Sequence, residues 1–245
     1  MKGGNWVGHT GCYELESLGC EQFKKIYKNH GAKEPLFGVL TGAMKPLAKK
    51  IQKDYGLSMA LYATGNYDAA YFAGIIADPK QMQPEDFENW MKTAYCSMMS
   101  DHVVAANLAE TDYAQEVADR WIATGKELYL SAGWCCYCQL LCSRPDEWFE
   151  KGKLQAMLRQ VAETIHSKPN RAKYAMNEFV IAVGICYLPL HEEAVKTARR
   201  IGKVSVDHGN TTAKRQLRWM RFAKRKEQES CAINTKTAGF RRGTE

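Results

Sequence analysis

Hydrophobic residues recur along this chain at helical spacing, in stretches of modest length that are separated by short polar breaks. In the stretch from Cys12 to His30, for example, Phe23 and Ile26 follow one face while lysines follow another. About eleven such stretches succeed one another, and only the segment from Lys203 to Asp207 has a brief extended pattern. We therefore predict an all-α fold in which helix pairs of about 35 to 45 residues stack into an α-solenoid.

The stretch from Thr64 to Asp101 carries the clearest helix signals. Asn66 is a favoured N-cap, because its side-chain oxygen can accept from an unpaired backbone N–H at a helix start. The residues that follow, up to Asp78, are apolar on nearly all sides and rich in alanine. This composition predicts a buried helix that its neighbours approach closely. The second half of this stretch opens with an acidic helix start at Pro84, and its pair of helical signals ends on Ser97 to Asp101.

The composition is that of a globular protein with one sizeable core. Of the 245 residues, 45% are hydrophobic and 25% are charged, and no linker divides them. We predict one domain over residues 1–230 and a basic tail over residues 231–245. The start of the chain lacks the apolar region of a signal peptide, and the run from Phe179 to Leu190 is shorter than a membrane span of roughly 18 residues. Nine cysteines in apolar helical stretches indicate reduced thiols. We expect a cytoplasmic monomer without membrane contact.

Positive charge is concentrated in the last fifth of the chain. The formal net charge is +7, and the segment from Lys196 to Glu245 holds 14 Lys and Arg against 4 Asp and Glu. Such a cluster is typical of a solvated tail or of a face that binds a polyanion, since phosphate neutralisation needs grouped cations. Lysines also line one face of an earlier predicted helix. That face either contacts phosphate or is simply solvated. The candidate phosphate contacts are Lys45, Lys49, Arg199, Arg200, Lys203, Lys214, Arg215 and Arg218.

Several kinds of chemistry find no support in the sequence. Cys135 and Cys138 have the C-x-x-C spacing of zinc and redox sites, but no second pair of ligands lies nearby. With Cys142 they fall on one helix face, which predicts core packing. The histidines are scattered, and no glycine-rich phosphate loop is present. We therefore predict no metal, no nucleotide cofactor and no other cofactor.

Four segments carry a resemblance to a known family. These segments, Phe37 to Lys49, Ala63 to Pro79, Tyr174 to Gly184 and Ile201 to Lys214, are similar to sequences of the AlkD-like DNA alkylation repair family. The resemblance covers roughly Leu18 to Lys214. It implies a C-shaped solenoid of HEAT-like repeats whose concave groove is basic and binds duplex DNA.

The same resemblance implies a reaction and the residues for it. Family glycosylases hydrolyse the bond between a cationic alkylpurine and deoxyribose, where a carboxylate can stabilise the sugar cation and aromatic faces can hold the base. Asp101 is similar in position to the catalytic aspartate of the family. A simpler alternative is that Asp101 caps a helix beginning at Val103.

The remaining family positions hold other residues. Ser97 and Ile185 stand where the family has tryptophans, and the start of the arginine-bearing helix falls near Leu130 to Gly133. Trp134 and Tyr95 are candidate substitutes for the aromatic faces. The sequence thus leaves two functions open. One is an alkylpurine DNA N-glycosylase of the alkylation repair type, and the other is a non-catalytic scaffold that binds DNA structures or an acidic protein partner.

Overall fold

The architecture is given by a computed structural model, which describes residues 12–207. These residues form helices and loops with a single isolated bridge between Gly19 and Val39, and none of them lies in a β-strand. The all-α prediction is therefore confirmed. The helices are α1 (residues 12–17), α2 (Glu21–Asn29), α3 (Thr41–Ile51), α4 (Tyr55–Tyr62), α5 (Tyr67–Ile76), α6 (Pro84–Thr93), a π-helix (Met98–Val104), α7 (Ala105–Leu108), α8 (Ala114–Ala123), α9 (Glu127–Ser143), α10 (Lys151–Thr164), α11 (Asn170–Cys186) and α12 (His191–Ile201), with single 3₁₀ turns at Asp146–Trp148, Ile165–Ser167 and Leu188–Leu190.

The described helices group into two compact units. The first unit extends to Cys136, and the second runs from Tyr137 to Val206. The single domain over residues 1–230 stays a prediction, and the basic tail over residues 231–245 lies outside the described residues. Within residues 12–207, no helix is both long and apolar enough to cross a membrane.

Helix α5 is the centre of the first unit. Its N-cap is Asn66, whose side-chain oxygen accepts from the N–H groups of Asp68 and Ala69, as predicted. Phe72 and Ile76 are completely buried, and burying each such side chain contributes about 1.5–3 kcal/mol. The small residues of α5 allow neighbouring helices to approach it closely. A Cβ atom on Gly74 would lie 2.8 Å from a methyl carbon of Val103 in the π-helix.

Asp68 anchors the loop between α2 and α3. Its buried carboxylate accepts three backbone N–H hydrogen bonds from that loop, from Phe37 at 2.6 Å, Gly38 at 2.9 Å and Val39 at 2.8 Å. Because the loop carbonyl of Gly38 in turn accepts from the N–H of Cys20 at 3.0 Å, the chain breaks its helix at residues 18–20. The prediction of one helical stretch from Cys12 to His30 is wrong for this reason.

One helix-to-helix turn occurs twice in the first unit. Thr64 follows α4 and Thr124 follows α8, and each hydroxyl donates to the carbonyl three residues earlier, at 2.7 and 2.8 Å. Each threonine oxygen also accepts from the N–H two residues later, at 3.2 Å in both turns. Gly65 and Gly125 follow with φ angles of 70° and 71°, which glycine adopts most readily. The turns share the sequence Ala-Thr-Gly, a local repeat that stacked helix pairs would produce.

Helices α9 to α12 supply the core of the second unit. Tyr137 packs edge-to-face against Phe179, and Phe149 does the same against Tyr187, with ring centroids 6.2 and 6.1 Å apart. The thiols of Cys142 on α9 and Cys186 on α11 are both buried, and their sulfur atoms lie 3.2 Å apart. Aromatic pairs of this geometry stabilise a protein by about 0.5–1.5 kcal/mol each, in addition to the free energy gained by burying their surface.

Candidate nucleic-acid interface

Asp101 lies inside a π-helix, a rare backbone form that is frequent at functional sites. The helix begins at Met98, so Asp101 does not cap a helix that begins at Val103, and that alternative is wrong. Its carboxylate accepts from the hydroxyl of Ser100 at 2.7 Å and from that of Ser131 on α9 at 2.9 Å. The residue is only 3% exposed. The two hydroxyls therefore fix the orientation of a buried carboxylate, and α9 and the π-helix are joined by it.

The candidate aromatic substitutes have different surroundings from those of a base-binding face. Trp134 is completely buried, so its ring has no surface for a nucleobase. The Tyr95 hydroxyl lies 3.2 Å from the Lys33 N–H and 3.3 Å from the Lys33 carbonyl, and the Lys33 ammonium lies 5.3 Å from the ring centroid. Burial raises the pKa of the Tyr95 phenol. Ser97 is 8% exposed, whereas Ile185, at the end of α11, is 43% exposed.

Lys45 and Lys49 lie on α3, four residues apart and both exposed. The last turn of α3 and the two residues after it span Ala48 to Lys53, and the lysines at positions 49, 50 and 53 are all exposed. Gln52 closes the helix with φ 65° and ψ −153°, a conformation that is nearly restricted to glycine. The Gln52 N–H still donates to the carbonyl of Ala48 at 2.8 Å.

Arg199 and Arg200 at the end of α12, and Lys203 just after it, occupy the positions that correspond to Lys49, Lys50 and Lys53. The segment from Ala198 to Lys203 repeats the α3 ending as Ala, two cations, Ile, one variable residue and Lys. Gly202 closes α12 with φ 59° and ψ −144°, and its N–H donates to the carbonyl of Ala198 at 3.1 Å. Two helices, one in each unit, therefore end with the same backbone conformation and with three exposed cations at matching positions. We call these segments, residues 48–53 and 198–203, the two basic helix ends.

The cations of the basic helix ends are mostly without acidic partners. In the part of the chain that the structure describes, ion pairs involve Lys24, Lys28, Lys50 and Arg120, and the Lys50 pair with Glu14 is long, at 3.6 Å. The other five cations of the two ends have no carboxylate within ion-pair distance there. Cations at a helix C-terminus also interact favourably with the helix dipole, which accounts for part of their placement. The candidates Lys214, Arg215 and Arg218 lie outside the described residues.

The three cysteines on one face of α9 belong to the core, as predicted. Cys135, Cys138 and Cys142 are all buried, and burial raises the pKa of the neighbouring Cys136 thiol. Between residues 12 and 207, no three His, Cys, Asp or Glu side chains are arranged to hold a metal ion. The sulfur of Cys135 lies 3.7 Å from the backbone carbonyl of Asp101, so this cysteine packs against the π-helix.

Comparison with solved structures defines the class of fold. One solved structure has a TM-score of 0.79 and 51% sequence identity to this chain, and the match covers 91% of this chain and 94% of the other. That protein is described as a member of a new family related to the HEAT-like repeat DNA glycosylases, with affinity for branched DNA structures. The chain therefore has the all-α, HEAT-like repeat fold.

The family follows from sequence. The family model of DNA alkylation repair enzymes matches residues 13–220, and the chain belongs to that family. Two uncharacterized proteins, from Listeria innocua and Listeria monocytogenes, are each 30% identical to it over 207 residues, covering 82% of this chain and 89% of the relative. Within the family, this chain is a divergent member with Ser97 and Ile185 at the positions that the resemblance assigns to tryptophan.

Proposed function

We propose that this protein binds branched DNA through the phosphate backbone and that the two basic helix ends are its principal contacts. The observation that supports this most directly is their equivalence. Residues 48–53 and 198–203 present the same cation pattern on the same helix-closing conformation. A cation that already has a carboxylate partner neutralises a phosphate less effectively, and five of these six cations have none among the described residues.

The chemistry of these ends suits the DNA backbone rather than base edges. Lysine and arginine on an exposed helix end reach phosphate oxygens without sequence preference, and each contact releases condensed counterions. Arginines at 199 and 200 can grip a phosphate with two parallel hydrogen bonds, whereas lysines at 49 and 53 act as point charges. We therefore expect little sequence specificity and a steep dependence on salt.

The proposal also includes a preference for branched DNA over linear duplexes. The solved relative with affinity for branched DNA is 51% identical to this chain over most of its length. A branched molecule offers phosphates on more than one arm, and the protein carries two equivalent basic ends in separate units. Two contacts of the same kind, one in each unit, suit a ligand that offers phosphates on several arms.

The test is equilibrium binding of fluorescent four-way junctions and of linear duplexes with matched length, followed by anisotropy. We expect tighter binding of the junction, with log Kd rising linearly with log salt. Replacing Lys49 and Lys53 by Ala, or Arg199 and Arg200 by Ala, should each reduce the salt slope by about 2. The matched control is Lys24→Ala with Lys28→Ala, because both lysines are paired with carboxylates.

Two outcomes would overturn this proposal. If the protein binds neither DNA even at low salt, the basic ends have another partner, and an acidic protein is then the candidate. If the control pair weakens binding as much as either test pair, then general charge rather than the basic helix ends determines affinity. A change in the fold of the variants is checked by circular dichroism.

Excision of alkylpurines is the second candidate function, and the π-helix around Asp101 is the observation that favours it. The carboxylate is 3% exposed and held by Ser100 and Ser131, so contact with a sugar requires this pair to open. Release of methylated purines from alkylated duplex DNA tests the predicted catalytic role. Equal release by the native protein and Asp101→Asn would remove Asp101 from the mechanism.

A further inference from the structure

Helix α11 carries a mixed polar stripe that neither the basic helix ends nor Asp101 explains. Arg171, Tyr174 and Glu178 follow one another at i, i+3 and i+7, so they lie on one face of the helix. All three are half-buried, whereas Ala175, Phe179 and the other residues that face the core of the second unit are buried. The stripe therefore combines a cation, an aromatic ring and a carboxyl group on one half-buried face of the helix.

Arg171 lies close to the ring of Tyr174. The guanidinium carbon of Arg171 lies 5.1 Å from the centroid of the Tyr174 ring, within the range of a cation–π interaction. Aromatic rings and guanidinium planes are the two protein surfaces on which unpaired nucleobases stack. The pair thus has the chemistry of a stacking platform, and the cation also favours a neighbouring phosphate.

Glu178 lies one turn further along the stripe and has a carboxylate oxygen without a hydrogen-bond partner. Its Oε2 atom is buried and has no hydrogen-bond partner, and desolvation by burial raises the pKa of the carboxyl group to about 7. Leaving a buried acceptor unpaired is costly, so a ligand that supplies donors, once the carboxyl group turns toward it, gains free energy that an exposed carboxylate would not provide. Glu163 on α10, by contrast, is exposed to water.

We propose that Arg171, Tyr174 and Glu178 form a binding site for one unpaired nucleobase of a DNA branch point. The base would stack on the Arg171–Tyr174 pair and donate hydrogen bonds to Glu178. Guanine fits this site best, because its N1–H and amino group are adjacent donors that match the two oxygens of a carboxylate. Thymine offers one donor between two carbonyl oxygens, which would face the carboxylate. This inference rests on the proposed binding of branched DNA.

The experiment compares three junctions at pH 8, identical except at the branch point, which is fully paired or carries one unpaired guanine or thymine. We expect the guanine junction to bind about tenfold more tightly than the paired junction. Tyr174→Leu should abolish that gain, and Glu178→Gln should abolish the difference between guanine and thymine. Lys173→Ala, on the same helix but off the stripe, is the matched control and should keep both.

A second measurement uses the native protein alone, so it does not depend on how the variants fold. A junction with unpaired 2-aminopurine should lose fluorescence on binding, because the base stacks in the site. Equal affinity of the native protein for all three junctions, or unchanged 2-aminopurine fluorescence in the saturated complex, would overturn the nucleobase site. Failure to bind any junction would instead overturn the proposed function.

Discussion

Replacing Gln52 by Gly should stabilise the first unit, although it removes a side chain. A non-glycine residue at φ 65° and ψ −153° costs on the order of 1–3 kcal/mol. Glycine relieves this strain but adds conformational entropy to the unfolded chain, which offsets about 0.5–1 kcal/mol. The Gln52 amide also donates to the carbonyl of Lys49 at an exposed position, where the bond contributes little. The expected net gain is about 1 kcal/mol.

The assay is urea unfolding followed by circular dichroism, with the midpoint compared at an unchanged m-value. Gln52→Ala is the informative control, because it removes the same amide and keeps the Cβ atom, and it should gain nothing. The reverse experiment is Gly202→Ala, which introduces a Cβ at φ 59° in α12 and should lose about 1 kcal/mol or more. If Gln52→Gly is no more stable than Gln52→Ala, the conformation is not strained and the reasoning fails.

Three further perturbations should have measurable effects. Asp68→Ala leaves three loop N–H groups without their carboxylate and should lower the free energy of unfolding by about 3–5 kcal/mol, as measured in urea. Glu178 has a pKa raised from 4.5 to about 7 in the folded protein, which therefore binds that proton more tightly than the unfolded chain does. The stabilising contribution of this carboxyl group should be complete below pH 4.5 and should fall by about 3 kcal/mol as the pH rises from 4.5 through 7. Glu178→Gln should remove this pH dependence. Oxidation by diamide should join Cys142 and Cys186 in a disulfide, detected by peptide mass mapping, since their sulfur atoms are 3.2 Å apart.

Each of these has a matched comparison. Asp54→Ala removes a single cap bond to the N–H of Leu57 and should cost only about 1 kcal/mol, so an equal loss would contradict the anchoring role of Asp68. Glu163→Gln changes an exposed carboxyl on the adjacent helix α10 and should leave the pH dependence intact. Cys138→Ser should not prevent the disulfide, and a bridge to Cys138 would contradict the geometry.

Local signals in the sequence predicted much of the fold. The cap at Asn66 and the apolar surface of α5 depend on neighbouring residues, and both are confirmed. Contacts between distant segments were harder to foresee. Nothing in the sequence pairs Asp68 with the loop before α3 or Asp101 with Ser131, because those bonds depend on tertiary packing.

Proline shows how a local rule can fail at one position. Proline is tolerated best in the first turn of a helix, yet α3 begins at Thr41 and Pro46 lies inside it. The missing N–H would have bonded to the carbonyl of Gly42, and Gly42 is exposed, so water can take its place. The cost of an interior proline is reduced where its lost partner lies in a solvated turn.

For the candidate interface, the sequence supplied the residues but not their relationship. The individual cations were identified from charge density, whereas the equivalence of Ala48 to Lys53 and Ala198 to Lys203 was missed. The similarity of the two six-residue segments is visible in the sequence, but they are separated by most of the chain. Their significance depends on the shared backbone conformation at Gln52 and Gly202, which charge density does not reveal.

The recurring Ala-Thr-Gly turn has a consequence for how such a chain can change in length. Thr64 and Thr124 close their turns with bonds to their own local backbone, so the hydroxyl bonds that shape each turn lie within it. Gene duplication or loss between two such sites would add or delete whole helices and leave an intact junction behind. The same property makes these turns suitable splice points for engineered arrays, in which a segment taken between Gly65 and Gly125 is inserted a second time.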